Sequence, residues 1–231
     1  NVRIILIRRR GRNIYKWIII AGAFITAVII TQYYYNRYIY QHSEASLSIV
    51  DRTWLNYGEA VLESSEEIGL PANYLLALIA LECGGSKEIK PRFEPHIFEK
   101  LQKVKNAESP NFETITTAEL ENCSEEGLKN LASSWGPFQL MGYQCLHLDI
   151  KIKELRGKKS VYYGCKWIKN TYGKYLEKKR FKDAFHLHNT GKKYPKIGPP
   201  RTHSRYYVPT GIKLMKAFEK LILQEQQQKA Q

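Results

Sequence analysis

The sequence predicts a mainly α-helical domain that follows one membrane-spanning helix. Three observations support this fold class: a charge-free apolar stretch near the N-terminus, helical spacing of apolar residues from Trp54 onward, and no alternating run long enough for a strand. The 231 residues suffice for one well-buried domain and an appendage, but not for two large domains. With 43% hydrophobic and 25% charged residues, the composition is that of a folded globular chain rather than a disordered one.

The apolar stretch, residues 17–36, is predicted to be a transmembrane anchor. As a helix that rises about 1.5 Å per residue it extends about 30 Å, which matches the hydrocarbon core of a bilayer. A basic segment, residues 1–16, precedes it, and an interfacial belt of tyrosines overlaps and follows its end: Tyr33, Tyr34, Tyr35, Tyr38 and Tyr40. The positive-inside rule places the basic segment in the cytoplasm and residues from about 41 onward outside. Because no small-x-small cleavage site follows the apolar run, an uncleaved anchor is favoured over a signal peptide.

The net charge and the cysteines restrict the classes of partner and cofactor. An excess of 36 Lys and Arg over 22 Asp and Glu predicts an anionic partner: nucleic acid, an acidic membrane surface or an anionic polymer. Six of the fourteen net positive charges belong to residues 1–16, and the remaining eight are expected to be spread along the chain. The cysteines form no Cys-x-x-Cys pair, which argues against a zinc site; outside the membrane they could form any of three disulfide pairings or stay free. They are Cys83, Cys123, Cys145 and Cys165.

Beyond the anchor, residues 37–50 are predicted to be a linker, residues 51–223 a folded outer domain and residues 224–231 a polar, fraying tail. Inside the domain, an amphipathic helix over 51–69 precedes a helix opened by Pro71, which is apolar all round and therefore buried in the core. Further helices are indicated by Pro95, by a capping-box pattern at Thr116–Glu119, by Ser124, and by apolar periodicity over 159–178, 180–188 and 205–226.

Glu82 is the first candidate for chemistry. It ends the apolar core helix, and Gly84 and Gly85 follow it, which would let a bulky substrate approach. Burial and the partial negative charge of a helix C-terminus both oppose ionisation of a carboxyl group, and this suits a general acid. The alternative is a solvent-facing glutamate paired with Lys87.

Four motifs occur in a recognisable order: Leu81-Glu-Cys-Gly-Gly, Gly136-Pro-Phe-Gln-Leu-Met, His188-Asn-Thr-Gly and Tyr207-Val-Pro. Together they resemble the lytic transglycosylase and goose-type lysozyme superfamily, whose pattern is a catalytic Glu-Ser, then Gly-x-x-Gln-x-Met, Ala-Tyr-Asn-x-Gly and Tyr-Val. Arg92-Phe-Glu-Pro-His-Ile-Phe and the stretch around Trp135 are similar to the phage-type N-acetylmuramidase branch. The likeness covers about residues 54–218. Two positions depart from the pattern, because Cys83 replaces the usual serine and His188 the usual tyrosine.

The resemblance implies a lysozyme-like (transglycosylase-type) catalytic domain over 51–223. It also implies cleavage of the β-1,4 bond between N-acetylmuramic acid and N-acetylglucosamine in peptidoglycan, with Glu82 as general acid and base. Gln139 and Asn189 would contact substrate, and Tyr207 would orient Glu82. Each has an ordinary alternative: a turn amide, a helix cap and a core tyrosine, with Tyr206 as the neighbouring register.

Several further side chains are candidates on weaker grounds. Glu94 and His96 could serve as base and orienter or form a structural pair, and Trp135 could stack on sugar rings or form a hydrophobic wall, as could Phe138 and Tyr143. His186 and His188 are two residues apart and point to different helix faces, so we expect no metal site and no cofactor.

The resemblance leaves the mechanism and the rival functions open. A hydrolase needs a second carboxylate, whereas a lytic transglycosylase does not. Residues 83–134 contain no Asp, which favours the transglycosylase, although Glu94 keeps a hydrolytic muramidase possible. A non-catalytic wall-binding scaffold is a third interpretation, while nucleic acid is not expected as a partner because no helix-turn-helix, zinc or aromatic-strand signature is present. The expected location is a bacterial inner membrane, single-pass, with the catalytic domain periplasmic or extracytoplasmic and within reach of an envelope-spanning complex.

Overall fold

The computed structural model describes the backbone of residues 2–229 and the side chains of residues 15–36, 44 and 46–228. The chain divides into two compact units, Asn1–Leu47 and Ser48–Gln231. The first unit is one helix, α1 (Val2–Ser46), whose segment Tyr15–Asn36 is long and apolar enough to cross a membrane. The predicted N-terminal apolar helix is therefore confirmed.

Some predictions about the flanks of this helix fall outside the described residues. They concern the side chains of residues 1–14 and those of Tyr38 and Tyr40. The expected linker over 37–50 differs from the structure, since α1 continues to Ser46 and the next helix begins at Ile49. Residues 37–46 contain neither Gly nor Pro, so nothing in the local sequence stops the helix earlier.

The second unit is mainly helical, as the sequence predicts. Its helices are α2 (Ile49–Ile68), α3 (Ala72–Cys83), α4 (Pro95–Lys105), α5 (Thr117–Leu120), α6 (Glu125–Leu131), α7 (Gln144–His147), α8 (Ser160–Glu177), α9 (Phe181–Thr190) and α10 (Tyr207–Lys229), with a 3₁₀ turn over Ile152–Leu155. The polar tail, predicted to fray, continues α10 as far as Lys229, because its Gln and Glu residues are good helix formers.

Short strands also occur, which the sequence does not predict. They are β1 (Arg92–Phe93), β2 (Asn111–Phe112), β3 (Ile115–Thr116), β4 (Ser133–Trp135) and β5 (Leu140–Met141). β1, β4 and β5 form an antiparallel sheet in that order, with Arg92 opposite Ser134 and Trp135 opposite Leu140, and β2 pairs with β3. Strands of two or three residues are too short to show an alternating pattern, which explains why sequence periodicity misses them.

Helix α3 is the centre of the core and carries Glu82 on its last turn. Every residue from Tyr74 to Ala80 is buried, and the helix packs against α2 and α10. Gly84 ends it in the left-handed conformation at φ 63°. Gly85 follows at φ 72°, and a Cβ there would lie 2.8 Å from the Cα of Thr53 on α2. The glycines thus let the end of α3 pack tightly on α2, which fixes the position of Glu82.

Candidate active site

The carboxyl group of Glu82 is partly buried, with 15% of its side chain exposed. Its Oε1 accepts a hydrogen bond from the hydroxyl of Tyr207, the first residue of α10. Tyr207 is buried, whereas the adjacent Tyr206 is 59% exposed and bonded to Arg205. Of the two neighbouring tyrosines, the structure therefore places Tyr207 against the acid.

His188 approaches the same carboxyl oxygen from α9. Its Nε2 lies 3.8 Å from Glu82 Oε1 and 3.0 Å from the backbone carbonyl of Phe138. Its Nδ1 lies 2.8 Å from the hydroxyl of Tyr172, which in turn is 3.3 Å from the hydroxyl of Tyr74. A carbonyl can only accept, so Nε2 carries the proton, Nδ1 accepts from Tyr172, and Tyr172 accepts from Tyr74. The network therefore specifies one neutral tautomer of His188.

Burial keeps both neighbours of Glu82 in their neutral forms. Desolvation lowers the pKa of His188, although the Glu82 carboxylate and the Phe138 carbonyl act in the opposite direction. Desolvation also raises the pKa of Tyr207 well above its ordinary value, and the charge of Glu82 adds to the rise. Glu82 is consequently faced by two uncharged donors, one of them a direct hydrogen-bond partner.

Glu82 opens into a cavity of about 500 Å³. The residues that line it are Leu81, Glu82, Arg92, Gln139, Asn189, Thr190, Arg201 and His203. In this lining, Glu82 is the one acidic side chain, and of the two arginines Arg92 pairs with Glu94, which lies outside the lining. The cavity brings together three of the predicted site residues, Glu82, Gln139 and Asn189, with Tyr207 directly behind the acid.

Gln139 reaches the cavity from the tight turn between β4 and β5. The turn places Gln139 at φ 49°, and Gly136 is packed against the backbone carbonyl of Leu155 too closely for a side chain. The amide oxygen of Gln139 accepts from Ser134 Oγ at 2.9 Å, and its nitrogen donates to the Gly136 carbonyl at 3.1 Å. Its amide is therefore bonded within the turn, as the ordinary alternative predicts, and the residue also lines the cavity.

Asn189 fixes the loop that carries Arg201 and His203 in the cavity wall. Its Oδ1 accepts from the backbone N–H of His203 at 3.2 Å, and its Nδ2 lies 2.9 Å from His203 Nδ1. The buried His186 holds the same loop, since its Nε2 accepts from the N–H of Arg201 at 3.1 Å and its Nδ1 donates to the carbonyl of Lys192 at 2.7 Å. His186 and His188 thus face different partners, as their spacing predicts.

Three other candidates are not brought to Glu82. Glu94 Oε1 forms an ion pair with Arg92 Nε at 2.7 Å, and Glu94 Oε2 lies 3.7 Å from His96 Nδ1. Neither Glu94 nor His96 lines the cavity. Trp135 donates to the Asn130 carbonyl and lines a separate cavity of about 640 Å³, where Arg156 lies 5.1 Å from its ring centre.

The remaining aromatic candidates and the cysteines have structural positions. Phe138 and Tyr143 are buried, so they form wall and core. All four cysteines are free thiols, and Cys83 donates to the carbonyl of Ile79 at 3.3 Å. Burial raises the pKa of Cys83 to about 11, which keeps it a neutral thiol beside the acid.

Sequence reasoning missed four residues of the site. Arg92 stands inside a motif that drew attention only to its glutamate and histidine. Arg201 and His203 belong to an irregular loop with no pattern of its own. His188 was noted as a departure at its position, but its contact with Glu82 depends on the packing of α9 against the β4–β5 turn.

Comparison with known proteins supplies no relative, because no family model, curated protein or solved structure matches the chain. Its chemistry therefore has to be inferred from its own residues.

Proposed function

We propose that the outer domain cleaves the β-1,4 bond between N-acetylmuramic acid and N-acetylglucosamine in peptidoglycan, most simply as a lytic transglycosylase. The observation that carries the proposal is the position of Glu82, the one carboxyl group in the lining of an open cavity, held by a neutral phenol. This agrees with the order of the four motifs that surround the same cavity. A lysozyme-like fold for residues 51–223 belongs to this proposal.

The contacts of Glu82 divide its two oxygens between two tasks. Oε1 accepts from Tyr207, whereas no described side chain bonds Oε2, so Oε2 is left for the substrate. In the first step the Oε2 proton passes to the glycosidic oxygen while the bond from that oxygen to C1 breaks. The hydroxyl of Tyr207 stabilises the carboxylate that forms, and it stays protonated because of its raised pKa.

The second step is proposed to use the substrate rather than a second carboxylate. Glu94, the other carboxylate candidate, is engaged by Arg92 and does not line the cavity. The N-acetyl oxygen of the muramic acid residue stabilises C1, its 6-hydroxyl then attacks C1, and Glu82 takes the proton from O6. The products are a 1,6-anhydro end and a restored acid, and no water is consumed.

The rest of the chain is compatible with a substrate in the cell envelope. Arg201 gives the cavity a positive charge that no described carboxylate neutralises, which suits carboxylates carried by muramic acid and its peptide. The N-terminal helix would hold the domain next to the wall, anchored in the bacterial cytoplasmic membrane with the cavity on the outer side. Such tethering would restrict cleavage to local remodelling.

The proposal is tested by digesting purified peptidoglycan with the full chain in detergent. Glu82→Gln keeps the side-chain shape but removes the acid, so we expect the rate to fall at least about 100-fold, the lower end of what general acid catalysis supplies. Glu94→Gln is the matched control and should stay within a few-fold of the parent.

Mass spectrometry of the released fragments separates the rival interpretations. Anhydro ends are expected, whereas reducing ends together with a large loss in Glu94→Gln would establish a hydrolase. An undiminished rate in Glu82→Gln would refute the assignment of Glu82 as the acid. No digestion by the parent chain at all would refute the proposal and favour a wall-binding scaffold.

A further inference from the structure

The net positive charge of the second unit, Ser48–Gln231, is concentrated in one stretch of its sequence. Residues 174–205 contain ten Lys and Arg but only two acids, whereas residues 1–16 contain six basic residues and no acid. The rest of the chain holds twenty basic and twenty acidic residues and is neutral overall. The expectation that the excess is spread along the chain is therefore wrong.

The charges of this basic region are available to a ligand. Both acids are already engaged, Glu177 with Lys169 and Asp183 with Arg180, each at 2.7 Å. All ten basic residues are exposed. Among the described residues, Arg180 is the only one of the ten whose charged group lies within 4.0 Å of a carboxylate. The region therefore presents unneutralised positive charge to solvent.

These charges connect directly to the candidate active site. Arg201 lines the Glu82 cavity and also a second cavity of about 460 Å³, which Lys192 and Lys193 line as well. The backbone of Arg201 is held by His186, so this junction has a fixed position. An anionic group leaving the Glu82 cavity along this wall meets the two lysines next.

The basic surface continues past the second cavity. The Nζ of Lys193 lies 5.8 Å from the ring centre of Tyr175, and the same ring has Lys174 at 5.8 Å and Arg180 at 5.2 Å. Arg180 in turn lines a third cavity of about 400 Å³. We call this continuous row of basic side chains the cationic track. Its members are Lys174, Lys179, Arg180, Lys182, Lys192, Lys193 and Arg201.

We propose that the cationic track binds a phosphate-bearing polymer that is attached to the glycan strand. The inference rests on the proposed function, since it assigns to the cleaved strand a side polymer that leaves the Glu82 cavity past Arg201. Seven exposed cations, six of which line a succession of three cavities, fit a chain of repeated charges better than one small anion. Lysine and arginine are the side chains that bind phosphate oxygens most effectively.

A membrane surface fits the track less well. Between residues 174 and 205, Ile197 is the only large hydrophobic side chain that is exposed. A segment that inserts into the interface of a bilayer needs a continuous apolar face in addition to basic residues. The track offers charge with little apolar surface, which suits a polymer dissolved in water.

The test measures equilibrium binding of a fluorescent poly(glycerol phosphate) chain to the full chain in zwitterionic nanodiscs, over a series of salt concentrations. The track variant replaces Lys179, Lys182, Lys192 and Lys193 by Gln. Loss of four phosphate contacts should lower the slope of log Kd against log salt by about 3 and weaken binding roughly 100-fold near physiological salt.

The control variant removes the same charge from other exposed surfaces and should bind like the parent. It replaces Lys103, Lys151, Lys153 and Lys220 by Gln. Equal weakening in both variants would mean that net charge alone drives binding, and it would overturn the track. Binding that is lost when anionic lipid is added to the nanodiscs would assign the track to the membrane and also overturn the proposal.

The polymer-binding test does not depend on the peptidoglycan-cleavage test, because binding of the isolated polymer needs no cleavage. If the track variant loses the polymer while Glu82→Gln still digests peptidoglycan, the binding site stands and the assignment of the acid fails. If both proposals hold, the parent chain cleaves polymer-bearing walls faster than stripped walls, and the track variant loses this preference.

Discussion

Tyr207→Phe is expected to lower the rate of peptidoglycan cleavage without disturbing the fold around the acid. The substitution removes one hydroxyl group and keeps the ring, which packs 5.2 Å from His203 and 6.5 Å from Phe185 between ring centres. In the proposed mechanism, the lost hydrogen bond is one to a carboxylate that becomes charged during proton transfer. Such bonds contribute about 1.5–3 kcal/mol, which corresponds to a roughly 10- to 150-fold decrease in rate.

The assay is the release of soluble fragments from purified peptidoglycan at several substrate concentrations. Because the bond strengthens as Glu82 loses its proton, kcat should fall while KM stays nearly constant. Tyr206→Phe is the matched control: it removes a hydroxyl from the neighbouring, exposed tyrosine and should leave kcat unchanged. Equal kcat values for Tyr207→Phe and the parent would show that Tyr207 does not orient the acid.

Two further predictions concern stability. Burial lowers the pKa of His188, so the unfolded chain binds the extra proton at a higher pH than the folded chain does. The free energy of unfolding should therefore decrease as the pH falls below about 6.5. Urea unfolding between pH 7 and 5 measures this dependence, and His188→Gln should flatten it. An identical pH slope in both proteins would contradict the buried neutral state. Gly85→Ala combines an unfavourable positive φ with a clash against Thr53, so it should lower the free energy of unfolding by about 2–4 kcal/mol. Gly69 has the same φ, but a Cβ there would meet no atom within 4 Å, so Gly69→Ala should lower the free energy of unfolding by only about 1–2 kcal/mol. Equal losses in the two variants would exclude the clash at Gly85.

Most helices were accessible from the sequence because their ends carry local signals, whereas the four-residue α7 was not predicted. Ser48 caps α2 through Asp51, Thr116 and Glu119 form the predicted capping box, and Ser124 accepts from Gly127 at the start of α6. These signals involve neighbours within one turn, so they act before any tertiary contact is made. The end of α1 lacks such a signal, and there the predicted linker differs from the structure.

The candidate site was only partly accessible, because its remaining features depend on which surfaces face each other. Nothing in the motif around Glu94 indicates that Arg92 turns its guanidinium toward that glutamate and also lines the Glu82 cavity. Likewise, Trp135 and Gln139 are four residues apart but line different cavities, since the β4–β5 turn separates them. The concentration of charge in residues 174–205 could have been counted in the sequence, although we expected the charge to be spread; its connection to the cavity required the loop that carries Arg201.

The hydrogen bond between Glu82 and Tyr207 joins the end of α3 to the start of α10, across 125 residues of chain. During synthesis the acid therefore emerges long before the phenol that holds it. A nascent, truncated or proteolytically shortened chain would possess the proton donor in an unoriented form. Under the proposed function, the docking of α10 on α3 would then act as a safeguard, because cleavage of the wall would begin only after these two helices have met.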